Sequence, residues 1–232
     1  MIIASNFKTN HTRASARAFV EALGAPKCEV RVFMPFTALD NFETNCQIKM
    51  GAQNFYPVQS GSFTGEIGAE QLEEFGIQSV LIGHSERRHI LQEPTTLIRQ
   101  KFAFAVVKNW EIVYCIGEPK EVREEGFEAV KAYLETQLEG IDMAYERLIV
   151  AYEPVWAIGT GLSASVEQIQ ETHQYIKTRL SAPLLYGGSV NANNVASIVG
   201  LKECDGALIG SASWKKEAFL EILNHTTQGE IR

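Results

Sequence analysis

A chain of 232 residues, 45% hydrophobic and 21% charged, holds enough apolar material for a sizeable core, arranged as one large domain or two small ones. The formal charge of −7 argues against nonspecific binding to nucleic acid, because Lys/Arg clusters such as Arg87-Arg88 are short. No stretch approaches the roughly 20 uninterrupted apolar residues that span a bilayer, and Asn6 and Lys8 arrive too early for a secretion signal, so a soluble cytoplasmic protein without membrane contact is expected.

From the N-terminus, short β-branched or apolar runs recur, each followed by a polar or glycine-containing break and then a longer stretch with helical spacing. The expected strands are 2–6, 30–34, 48–53, 79–83, 112–116, 148–153, 184–187 and 206–210. Helical spacing falls at 14–23, 86–89 running into 95–109, 126–138, 166–180 and 214–223. Each helix can return the chain for a parallel pairing. Eight such units without a Pro/Gly/Ser linker fit a closed (β/α)8 barrel in a single domain over 1–232 better than an open doubly wound sheet. The four cysteines, Cys28, Cys46, Cys115 and Cys204, are far apart with no CxxC pair, which suggests neither a zinc cluster nor a disulfide framework and fits a reducing compartment.

In a barrel of this kind the chemistry sits at the C-terminal ends of the strands. Those ends carry Asn6 and Lys8, Gln53 and Asn54, His84 and Ser85, Cys115 and Glu118, Glu153, 187–189 and 210–213. Glu153 ends an apolar strand and is followed by Pro154, which fixes φ, and by a small, glycine-bearing tip from Ala157 to Gly161, the pattern of a rigid stem with a mobile lid. A capping glutamate before a surface loop is the plainer reading of a Glu-Pro pair; the strand-end position favours a base. His84 lies where a strand gives way to a helix, whose N-terminal dipole and N–H groups disfavour the imidazolium form, so a neutral imidazole donating one hydrogen bond to a substrate oxygen is expected. A histidine satisfied by local backbone is the alternative, and His11, His89, His173 and His225 stay with it. Lys8 can reach the barrel mouth and neutralise an oxyanion or phosphate. Three glycine turns, Gly159 to Gly161, Gly187-Gly188-Ser189 and Gly210-Ser211, could aim N–H groups at one anion, as phosphate sites after strands seven and eight do. None resembles GxGxxG or a Walker loop, so no nucleotide is implied.

These same residues carry a family resemblance. Ala151-Tyr152-Glu153-Pro154-Val155-Trp156-Ala157-Ile158-Gly159-Thr160-Gly161 resembles the base and flexible loop of the triosephosphate isomerase family, supported by Ile82-Gly83-His84-Ser85-Glu86-Arg87-Arg88, Cys115-Ile116-Gly117-Glu118, Tyr186-Gly187-Gly188-Ser189-Val190 and Asn6-x-Lys8, all in the family's order. The resemblance implies interconversion of dihydroxyacetone phosphate and glyceraldehyde 3-phosphate through an enediolate, in glycolysis and gluconeogenesis, with no cofactor and no metal. It makes Glu153 the base, His84 the electrophile, and Lys8 and Asn6 the stabilisers of negative charge. The backbone N–H groups of Gly159, Ser189, Gly210 and Ser211 become the phosphate contacts, with Glu86 and Cys115 in support. The segment from Gln53 to Ile67 becomes the loop that enters a neighbouring subunit, with Thr64 near the partner's site, so a homodimer is expected.

Three departures stand out. Ser211 replaces the second of two glycines, which is tolerable if its φ is negative; Phe7 stands where tryptophan is usual; and Leu162-Ser163-Ala164 replaces a frequent Lys-Thr-Ala hinge, altering opening and closing more than chemistry. Shortened segments between Lys8 and Val30 point to a trimmed first helix or neighbours. A phosphosugar epimerase or phosphate-dependent lyase would bring paired acids or metal ligands, which the strand ends lack. A barrel kept only as a phosphate-binding scaffold would have lost Glu153 or His84, and both are present.

Overall fold

The computed structural model describes residues 1–158 and 163–226. Its strands are β1 (Ile2–Asn6), β2 (Glu29–Met34), β3 (Ile48–Ala52), β4 (Ser79–Ile82), β5 (Glu111–Ile116), β6 (Leu148–Tyr152), β7 (Leu184–Tyr186) and β8 (Gly206–Ile209). Each pairs in parallel with the next, and β8 returns to β1, with Ile2 opposite Gly206, to close the barrel. The closed (β/α)8 architecture is the one the strand rhythm anticipates. Every strand lies within one residue of its expected span at either end.

Strand alternation divides the apolar residues into two layers. Ile2, Ala4, Phe33, Leu81, Val113 and Ala151 point inward and fill the barrel, whereas Ile3, Val30, Val32, Ile112 and Val150 point outward under the helices. The inner layer interlocks by size: a Cβ on Gly51 would lie 2.4 Å from the ring of Phe33, so a small residue on β3 admits a large one on β2. At the closing seam a Cβ on Gly206 would lie 1.8 Å from the carbonyl oxygen of Ile2, so only glycine lets β8 approach β1.

The helices follow their amphipathic stripes. In α1 (Arg13–Leu23), Ala16, Phe19, Val20 and Leu23 are buried at i, i+3, i+4, i+7 spacing, and Thr12 and Ser15 form a reciprocal capping box at the start. Downstream lie α2 (Ala69–Glu73), α3 (Thr95–Val107), α4 (Lys120–Glu124), α5 (Phe127–Leu138), α6 (Val166–Lys177), α7 (Val195–Val199) and α8 (Lys216–Thr226). The five-residue helices α2, α4 and α7 fall below the length at which periodicity is readable, and the sequence reading missed them. The helix expected to begin at Trp214 instead starts at Lys216, after a 3-10 turn at Ser211–Ser213. Between Lys8 and Val30, α1 spans 11 residues; among the described residues, β2 and β3 are joined by a 3-10 turn, Phe36–Ala38, and irregular chain without an α-helix. No helix is long and apolar enough to cross a membrane, among the described residues.

Candidate active site

At the C-terminal end of the barrel a cleft of about 1310 Å³ is lined by Asn6, Lys8, His84, Glu86, Glu153, Ser189, Gly210 and Ser211 among others. Gly159 and the hinge residue Leu162 lie outside the described residues; Ser163 also lines the cleft, and Ala164 is buried.

Glu153 follows the last residue of β6 and is 2% exposed. Its N–H is held by the Ile116 carbonyl at 2.7 Å. Its carboxylate takes the Ser85 N–H on Oε2 at 2.9 Å and faces His84 Nε2 from Oε1 at 3.1 Å. Space for it comes from two glycines. A Cβ on Gly117 would lie 1.7 Å from the Glu153 carbonyl oxygen, and one on Gly187 would lie 2.7 Å from Glu153 Cγ. Gly187→Ala is therefore expected to push the carboxylate off its position. It should lower kcat by about tenfold or more and cost roughly 1–3 kcal/mol of stability through overpacking, read by steady-state kinetics and urea unfolding.

His84 follows Gly83, whose φ of +72° turns the chain sharply out of β4. The next residues form a single π turn, Glu86–Ile90, in place of an ordinary α-helix start. The Glu86 N–H donates to His84 Nδ1 at 3.3 Å, so the ring proton resides on Nε2, facing Glu153. Burial lowers the proton affinity of His84, but the adjacent Glu153 carboxylate outweighs it and raises the pKa above the ordinary value. The neutral imidazole expected from a helix N-terminus thus meets an opposing influence from Glu153, an effect of tertiary packing. Glu153 itself is pushed up by burial, but His84, the Ser85 N–H and Lys8 hold it below the usual carboxylate value. Cys115, fully buried on β5, is a thiol driven well above its ordinary pKa by burial and by the nearby Glu153 charge.

Lys8 has φ +50°, a left-handed conformation that a non-glycine residue keeps only when its surroundings impose it. The Asn6 side chain accepts the Lys8 N–H at 3.0 Å, fixing the turn, and the ammonium reaches Glu86 Oε1 at 2.6 Å. Opposite, the Ser189 hydroxyl donates to the Ala157 carbonyl at 2.7 Å, tying the β7 loop to the stem after Glu153. Gly210 and Ser211 lead into the 3-10 turn, and Ser211 is not among the non-glycine residues with positive φ, so its side chain is accommodated without backbone strain.

Glu118, a rim residue by sequence position, is fully buried beneath the stem and accepts from Arg123 Nε at 2.8 Å, Trp156 Nε1 at 3.0 Å and the Tyr152 hydroxyl at 3.1 Å. Arg88, half of a short basic pair in the sequence, donates to the carbonyls of Gly83 and Cys115 and so joins the ends of β4 and β5. No sequence spacing announces these contacts. Thr64 is exposed in the 53–67 segment and lies outside its own chain's cleft; that segment is an ordered loop in which Tyr56 stacks on Phe63 at 4.4 Å.

A buried carboxylate–imidazole pair at the rim of an eight-stranded barrel, with the Lys8 ammonium and the Ser189 and Gly210 loops lining the same cleft, suits proton transfer on a small molecule. The triosephosphate isomerase family model matches residues 1–226. The chain belongs to the triosephosphate isomerase family. Relatives carrying that name include the protein of a Nitratiruptor species, 52% identical over 227 residues covering 96% of this chain and 97% of the relative. Another is that of Wolinella succinogenes, 55% identical over 229 residues, covering 96% and 99%. The Campylobacter curvus protein is 54% identical over 222 residues, covering 94% and 95%. Triosephosphate isomerase family membership thus extends across both halves of the cleft, from Asn6 to Ser211.

Proposed function

We propose that Glu153, His84 and Lys8 carry the chemistry of an isomerase that interconverts dihydroxyacetone phosphate and D-glyceraldehyde 3-phosphate, the glycolytic reaction of the family to which the chain belongs. The observation that supports these roles best is the placement of a buried carboxylate 3.1 Å from His84 Nε2 in the cleft that also holds the Lys8 ammonium.

Glu153 takes a proton from the carbon next to the carbonyl, and the electron pair moves onto the carbonyl oxygen, giving an enediolate. His84, with its proton on Nε2, donates a hydrogen bond to that oxygen and passes a proton between the two oxygens. Lys8 and Asn6 offset the developing negative charge. Glu153 then returns its proton to the neighbouring carbon, so that no atom is gained or lost. The N–H groups of Gly159, Ser189, Gly210 and Ser211 hold the phosphate. Glu86 orients Lys8 and the Nδ1 side of His84, and Cys115 backs Glu153 as a neutral thiol.

Glyceraldehyde 3-phosphate incubated with the protein in heavy water is expected to yield the ketose isomer carrying solvent deuterium; folded protein without turnover would end this reading. The chain acts as one catalytic domain over 1–232 in the cytoplasm, and as a homodimer in which the 53–67 loop, with Thr64 at its exposed tip, enters the partner's cleft. The exposed Phe63, Ile90 and Leu91 are apolar surface of the kind a subunit contact covers. A solution molar mass of twice 25.8 kDa is expected, and a monomer at micromolar concentration would overturn the dimer.

A further inference from the structure

Barrel closure brings the first and last strands together at the β1–β8 seam, where the loop carrying Lys8 meets the loop carrying Gly210 and Ser211. Among the described residues, two side-chain hydrogen bonds that join residues 208 positions apart cross this seam, and the His11 ring adds a contact to the Trp214 backbone. Trp214 Nε1–H donates to the Asn6 carbonyl at 3.2 Å, and the Ser5 hydroxyl donates to Ser213 Oγ at 2.8 Å. The Ser213 hydroxyl in turn reaches the Gly210 carbonyl at 2.7 Å, so the second tie ends on the backbone of the phosphate-side loop.

The other polar groups of the Lys8 turn are committed elsewhere. The Asn6 side chain accepts the Lys8 N–H, the Phe7 N–H donates to the Phe33 carbonyl on β2, and Asn10 caps the Phe7 carbonyl. These contacts set the shape of the turn and its height on β2. The Trp214 bond sets its position relative to the β8 loop. That position matters for Lys8, because a Cβ on Gly210 would lie 3.2 Å from Lys8 Cε and 3.5 Å from Nζ: the ammonium stem already rests against the phosphate-side loop. An indole suits this task, since its two side-chain torsions leave little freedom once the ring is packed, and its single N–H has one direction.

We propose that Trp214 is a positioning residue for the isomerase reaction, its indole N–H locking the Asn6–Lys8 turn to the β8 loop so that the Lys8 ammonium and the phosphate-binding N–H groups keep a fixed separation. The inference rests on the reading of Lys8 as the group that neutralises substrate charge.

Trp214→Phe keeps an aromatic ring and removes the N–H. KM is expected to rise roughly fivefold, the factor that accompanies loss of one neutral hydrogen bond, and the inhibition constant for inorganic phosphate to rise alongside it, with kcat changing less than about twofold. In a Lys8→Met background the same replacement is expected to change phosphate affinity by less than about 1.5-fold, because the positioned group is gone. Ser5→Ala, which cuts the other tie, should move KM and the phosphate constant in the same direction and carries the test should Trp214→Phe not fold. Constants within twofold of the parent in both variants, or a Trp214→Phe loss that persists undiminished with Lys8→Met, would overturn the proposal. Should Lys8→Met alone leave both constants unchanged, the reading of Lys8 falls and the positioning role with it; an impaired Lys8→Met beside a fully active Trp214→Phe removes only the positioning role.

Discussion

Glu153→Gln is expected to lower kcat by about three orders of magnitude while leaving the affinity for inorganic phosphate nearly unchanged, since removal of a general base costs roughly 10²–10⁴-fold and the amide fills the same volume. The carbonyl of Gln can accept only one of the two donors that Glu153 now faces, the Ser85 N–H at 2.9 Å and His84 Nε2 at 3.1 Å, so one contact is lost while the backbone of the loop should stay in place. Neither atom of the amide can accept a carbon-bound proton. A loss of phosphate affinity equal to the loss of rate would assign Glu153 a structural role instead. The same variant changes the titration of His84. With Glu153 ionised, the folded pKa of His84 lies above its ordinary value of 6.5, so the pair contributes stability that is fully present below 6.5 and is lost as pH rises through the folded value. Without the carboxylate only burial remains as the dominant influence, and it lowers the pKa. Nitrogen NMR of the imidazole is expected to show titration shifted to lower pH in Glu153→Gln, and an unchanged profile would mean that the pair is not coupled.

The second large effect lies at the opposite end of the barrel. Arg31 on β2 points inward and is 2% exposed, and its guanidinium meets Glu111, the first residue of β5, through Nε at 2.6 Å and Nη2 at 3.0 Å. Lys49 and Ser79 each add a bond to the same carboxylate at 3.0 Å. Arg31→Met is expected to cost about 3–5 kcal/mol in urea unfolding at neutral pH and fixed protein concentration, because it leaves Glu111 charged and short of its bidentate partner. Burial raises the Glu111 pKa, but Arg31 and Lys49 together bring it below 4.5. Its contribution to stability is therefore full above 4.5 and lost as pH falls through the depressed folded value. Glu111→Gln should be weaker than the parent at neutral pH and lack that part of the acid slope. Replacing Arg31 and Glu111 together by apolar residues is expected to recover much of the single-variant loss, since the cost arises from the stranded charge. Equal stability of parent and Arg31→Met would show that the cluster contributes nothing.

This cluster illustrates where sequence reasoning stops. Arg31 and Glu111 are separated by 80 residues, one a charge within the expected strand 30–34 and the other just before the expected strand 112–116; only the closed barrel turns both inward at one level. The strand ends, by contrast, were legible early, because short apolar runs such as 2–6 and 148–153, each closed by a polar or Pro/Gly break, place their termini within a residue, and a barrel collects its strand ends on one rim. Asn6, Lys8, His84, Glu153, Ser189, Gly210 and Ser211 could thus be named before their geometry was known, and all seven line one cleft. The short helices α2, α4 and α7 were not legible, since five residues do not complete two turns of a pattern.

For Glu153, its place after an apolar run and before Pro154 was enough to single it out, because local chain chemistry is encoded by neighbours in sequence. Its working environment was decided elsewhere: by Ser85 and His84 from β4, by Gly117 after β5 and by Gly187 after β7. Hydrogen-bond direction, burial and the charge felt by a titrating group fall off within a few ångströms in space and carry no trace in residue spacing. The amino-acid order determined the strands, the rim and the family. Only the closed barrel decided that the Glu153 carboxylate meets His84, that Glu111 meets Arg31, and that Trp214 reaches back across the β1–β8 seam to Asn6.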